Sequence, residues 1–159
     1  MQRLTMGANA HLPAPKFELA IEWPAGVGTL DSSTYLLDGS GKVRSDDDMI
    51  FYNQPADASG AVRIVQNEAG ETRLAIDLDR IPADVERIVS CVTIETAGLT
   101  MNAFPGTSAS VYINGSAELS FSPELDGALE VAMRLVQLYR RDGAWKIRAD
   151  GQGFHDGLA

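Results

Sequence analysis

The acidic residues of this chain are the ones whose grouping suggests chemistry. Asp46, Asp47 and Asp48 form one run, Asp31 and Asp38 flank an earlier apolar stretch, and Asn53 follows a few residues later. A carboxylate run in a tight loop repels itself unless a cation sits in it or water screens it. Calcium is held by several oxygens from carboxylates, amides and backbone carbonyls, usually on loops. Asp46 and Asp48, one residue apart, have the spacing that opens such a chelating loop. A solvated acidic turn accounts for the same run, so spacing leaves both readings open. The EF-hand pattern is absent, since the run lacks Gly at its sixth position and Glu at its twelfth.

Other chemistries find less support. Cys91, His11 and His155 lack zinc-ligand spacing. Cys91 sits in the apolar run Ile88 to Ile94, which predicts a buried structural thiol rather than a nucleophile. No glycine-rich turn opens a helix, and the glycine-rich stretch 151–157 follows a strand pattern instead. His155-Asp156 and scattered serines form no hydrolase pattern, so no enzymatic role is expected. The net charge of −9 disfavours nucleic acid and anionic membrane surfaces. It suits cations, basic partners or plain solubility. With 45% apolar and 22% charged residues, the chain of 159 residues fits a single globular domain. No apolar stretch is long enough to span a bilayer. The first residues show no apolar leader, so the cytoplasm is the expected compartment.

These groups need a scaffold, and most of the chain reads as short strands. Phe17, Leu19, Ile21 and Trp23 alternate with Glu18, Ala20 and Glu22, the period of a strand with one face on a core. Further strands are predicted at 33–37, 49–52, 61–66, 72–78, 87–95, 109–114, 117–121 and 145–149, with Asn114-Gly115 closing a hairpin. One α-helix is predicted from Ser122-Pro123-Glu124 to the stop at Asp142-Gly143. Its stripe is Leu125, Leu129, Ala132, Met133, Val136 and Tyr139. Trp23, Tyr35, Phe51, Tyr52, Tyr139 and Trp145 are read as core aromatics. The loop 98–108, with Leu99, Met101 and Phe104, is expected to tuck under the sheet rather than stand as a contact surface. Residues 1–15 are the least committed. Many short strands separated by turn signals predict a mainly β, two-sheet sandwich with one helix in the C-terminal half.

Four segments together resemble the TerD family. Leu30 to Asp38 is similar to that family's DLDASAFLLD strand, and Gly41 to Gln54 to its GKVRSDEDFVFYNQ. Ile76 to Val85 follows its VDLSKVPADV, and Leu138 to Phe154 its LYRRNGEWKFRAVGQGY. The resemblance implies a β-sandwich with a calcium site made by acidic loops. It also implies partners among the other proteins of a stress-response or tellurium-resistance operon. This chain departs from the pattern in two places. Of the first strand motif's two aspartates only Asp31 is kept, Thr29 standing at the other. The family's long acidic loop is replaced by 63–75, where at most Asn67 and Glu71 survive. Fewer carboxylates lower ion affinity. The resemblance therefore leaves two expectations: a weakened calcium site of Asp31, Asp46, Asp48 and Asn53, or a metal-free interaction module.

Overall fold

The computed structural model describes residues 1–155. Two six-stranded sheets enclose one apolar cluster. In chain order the strands are β1 (Gln2–Leu4), β2 (Asn9–His11), β3 (Lys16–Glu22), β4 (Leu30–Leu37), β5 (Met49–Ile50) and β6 (Val62–Glu68). Then come β7 (Glu71–Asp77), β8 (Arg87–Ile94), β9 (Ser108–Ile113), β10 (Ser116–Phe121), β11 (Ala132–Arg141) and β12 (Ala144–Phe154). The first sheet runs β1-β10-β9-β3-β7-β6 and the second β2-β12-β11-β8-β4-β5. All pairings are antiparallel except β1 with β10.

Alternation makes the core. Phe17, Leu19 and Ile21 on β3, with Leu74 and Ile76 on β7, face Leu36 on β4 and Ile88 and Val92 on β8 across the sandwich, all of them buried. On β3 the outward positions include Glu18 and Glu22, both partly exposed, whereas β8 is buried on both faces, at Val89 and Cys91 as well as at Ile88 and Val92. Asn114 and Gly115 both have positive φ, 50° and 80°, which gives the tight turn that joins β9 to β10 with the strands' own twist. Phe104 and Met101 are fully buried, so the loop 98–108 does tuck beneath the sheets.

The predicted helix is not formed; among the described residues the only helical elements are three short 3-10 turns. Its second half is β11. At Arg134 to Val136 the strand carries one residue more than its neighbour β8, so Leu135 and Val136 are buried in succession. That bulge breaks the two-residue alternation of Met133, Leu135, Val136 and Leu138 and leaves spacings of three, from 133 to 136 and from 135 to 138, which imitate a helix. Asp142 and Gly143, read as a helix stop, have φ of 52° and 78° and form the hairpin turn between β11 and β12. The first half, Ser122 to Leu129, is irregular chain with one turn at Asp126 and Gly127, and Leu129 is 62% exposed. Cap chemistry serves turns as well as helices.

The aromatic expectation holds for Trp23 and Trp145, which pack against the core cluster, and not for the others. Trp23, Tyr35, Phe51, Tyr139 and Trp145 are half-buried, and Tyr52 is exposed. An antiparallel sandwich has outer faces that large side chains can cover without entering the core. The Arg140 guanidinium lies 4.6 Å from the centre of the Trp145 ring. The final strand runs to Phe154, so Gly151 and Gly153 lie inside β12. Asp156 and Gly157 of the glycine-rich stretch lie outside the described residues.

Candidate functional site

The acidic run folds as a single 3-10 turn, Asp46–Asp48, capped by Ser45, whose hydroxyl accepts the Asp47 amide N–H at 3.2 Å. Within it Asp48 is 2% exposed. A buried carboxylate requires a counter-charge and filled lone pairs, and Arg44 supplies both. Its Nε donates to Oδ2 at 2.8 Å, its Nη2 to Oδ1 at 2.9 Å, and its backbone N–H to Oδ2 at 2.9 Å. The remaining arm, Nη1, donates to Asp84 at 2.7 Å. These Arg44 hydrogen bonds hold the Asp48 carboxyl below its ordinary range against the opposing effect of burial. They also hold the Arg44 guanidinium above its own.

Two of the loop's carbonyl oxygens and the Asp38 carboxylate are engaged elsewhere. The Gln54 side-chain amide donates to the carbonyls of Asp46 and Met49, at 2.6 and 2.5 Å. Asp38 takes the Ser40 hydroxyl at 2.6 Å and the Ser40 amide at 2.9 Å, closing its own turn. The Ser40 hydroxyl is the main reason its pKa is lowered. Asp46, Asp47 and Asn53 are exposed, Asn53 at the tip of the turn between Phe51 and Gln54.

Asp31 is not near this loop. Tyr35 of β4 pairs with Met49, which sets Asp48 level with Leu36. Asp31 is then five residues away along the strand, roughly 16 Å at the rise of an extended chain. Its neighbour is Glu95. Asp31 pairs with Thr93 in the β4–β8 ladder, and the Glu95 amide donates to the Thr29 carbonyl at 2.9 Å, so Asp31 and Glu95 are diagonal on one face. The Asp31 carboxyl, by hydrogen bonding and by charge, raises the Glu95 pKa.

The shortened loop between β6 and β7 is equally committed. Ala69 and Gly70 make a tight turn, with Gly70 at φ 87°. Glu71 bonds Arg73 at 2.9 Å, and Asn67 accepts the Thr72 hydroxyl at 2.9 Å. The four residues expected to share a cation therefore do not converge. Among the described residues no group of three carboxylate, His or Cys side chains could hold a metal. The donor set does not fit calcium, which needs six or more oxygens.

Sequence reasoning passed over the residues that decide this: Arg44, Asp84, Gln54 and Glu95. A cation four residues before Asp48 was a readable signal for the first, because short-range ion pairs form at that spacing. Glu95 becomes visible only once the β4–β8 register is known. Cys91 is buried, as its apolar run predicts, and burial pushes its thiol up to about 12.

The TerD domain family matches residues 2–159. The tellurium resistance protein TerD of an Alcaligenes species is 37% identical over 142 residues, covering 82% of this chain and 73% of its own. General stress protein 16U of Bacillus subtilis is 31% identical with the same coverage. A solved TerD homologue from Streptomyces coelicolor superposes with a TM-score of 0.68 at 15% identity, over 88% of this chain and 90% of that one, a likeness of fold.

Proposed function

Because the chain belongs to the TerD family, we propose that it is a non-catalytic, metal-independent docking module of the bacterial response to tellurium and related stress. The setting comes from its relatives, one named for tellurium resistance and one for general stress. Its partners are the other proteins of a stress-response or tellurium-resistance operon.

The closure of Arg44 on Asp48 carries the reading. A guanidinium fixed by two hydrogen bonds to Asp48 and one to Asp84 is already the cation of the acidic turn. It supplies from within the chain what a calcium ion would supply from solution. The loop is then ordered without a metal, and its outer faces are free to meet partners. A thiol pushed up to about 12 is not a nucleophile at neutral pH, which supports a non-catalytic role. A single buried, free thiol suits the reducing cytoplasm. The net charge of −9 directs the module toward proteins rather than nucleic acid.

The test is affinity capture from tellurite-challenged cells of the parent organism, in chelator and in calcium buffer. The same partners should be recovered in both. Loss of the partners in chelator alone would overturn metal independence.

A further inference from the structure

The outer face of the second sheet carries a hollow of about 200 Å³ beside β4 and β5. Tyr35, Met49, Phe51 and Tyr52 form its apolar wall, and Asp31 and Glu95 close one end. Tyr35 and Met49 are directly paired across the two strands. The Phe51 and Tyr52 rings meet edge to face, 5.6 Å apart at 87°. Two features of the hollow run against ordinary surface economy. Tyr52 leaves 60% of its surface in water although an aromatic ring gains from burial. Asp31 and Glu95 bring like charges together, yet among the described residues neither has a Lys, Arg or His partner within 4 Å.

One kind of occupant answers both. A bare metal ion would neutralise the acids and leave the aromatic wall wet. An apolar group would cover the wall and leave the acids repelling each other. A basic side chain has an apolar stem and a charged head. Its stem lies on Met49 and the rings, and its head reaches the carboxylates, with Tyr faces adding cation–π attraction. Volume narrows the choice. Small-molecule pockets span roughly 300 to 1,000 Å³, so a hollow of about 200 Å³ takes one side chain rather than a whole ligand. A guanidinium matches a carboxylate with two parallel hydrogen bonds, which favours arginine over lysine. The net charge of −9 opposes a second copy of this chain and favours a basic partner.

We infer that the Asp31–Glu95 end of this hollow and its Tyr35, Met49, Phe51 and Tyr52 wall are a docking seat for an arginine side chain on a basic segment of a partner protein. The inference rests on the docking-module reading and gives that module its contact chemistry.

The test is a nuclear magnetic resonance titration of the full chain, in chelator, with a blocked Gly-Arg-Gly peptide and with its citrulline counterpart. Citrulline keeps the shape and removes the charge. The arginine peptide should shift Phe51, Tyr52 and Glu95 and bind at least tenfold more tightly than the citrulline peptide. The double variant Tyr52→Ala, Glu95→Gln should lose the response while its spectrum elsewhere stays unchanged. Equal affinity for both peptides, or shifts confined to another face, overturns the seat. A hollow silent to peptide in a protein also silent to calcium overturns the seat alone and leaves the metal-independent module standing. A hollow silent to peptide that binds calcium overturns both.

Discussion

Arg44 grips both carboxylate oxygens of Asp48, Nε at 2.8 Å from Oδ2 and Nη2 at 2.9 Å from Oδ1, while its third arm reaches Asp84. That fork links the turn before β5 to the segment before β8, two regions forty residues apart in sequence. It makes a run of three aspartates compatible with a buried member. The predictions below test what this contact and its surroundings do.

Arg44→Met should destabilise the protein by about 3 kcal/mol, because it leaves a buried carboxylate without its partner. Urea unfolding of both proteins at pH 7 measures this. The deficit should shrink with acid. Asp48 has a lowered folded pKa, so its contribution is fully present above the unfolded value of about 3.9. It is lost as pH falls below that value through the folded pKa. The two proteins should therefore converge in stability below about pH 4.

Glu95→Gln should raise stability slightly at neutral pH. With its folded pKa raised, Glu95 favours the folded state most when protonated, and that advantage fades as pH rises through the folded pKa. Gln keeps the hydrogen-bonding capacity and removes the repulsion by Asp31. A gain of about one degree in melting temperature at pH 7 is expected for an exposed cross-strand pair. It should disappear in acid, where Glu95 is itself neutral.

Phe104→Ala should cost about 3–5 kcal/mol, the usual range for emptying a fully buried aromatic site. Differential scanning calorimetry would show it. A loss below about 1 kcal/mol would mean that the loop 98–108 is a surface element whose contacts lie outside this chain.

Far-ultraviolet circular dichroism should show a β-type spectrum without a helical component, since Ala132–Arg141 is a strand. This concerns the largest gap between sequence and fold. The strands β3 and β7 were legible because large apolar residues recur at every second position over most of the element and one face is buried. β11 was not, because the bulge at Leu135 shifts the alternation by one residue and yields helical spacings. β1 and β2 were missed for another reason. Three residues with mostly exposed side chains carry no period to read. The site was half legible. The acidic run could be seen in the sequence, but its meaning depended on Arg44, which stood in plain view without an assigned role. The separation of Asp31 from Asp48 depended on strand register, and no local pattern encodes that.

The most direct test of metal independence is a thermal melt of chelator-treated protein with and without millimolar calcium, with magnesium as control. An ion present at a hundredfold its dissociation constant adds about 2.7 kcal/mol, a shift of several degrees for a chain of this size. Arg44 already neutralises Asp48 and Gln54 already holds the loop carbonyls, so the predicted result is coincident melts in all three conditions. A calcium-specific rise of several degrees that Asp48→Asn abolishes would contradict it and would return the acidic turn to the role of a metal site.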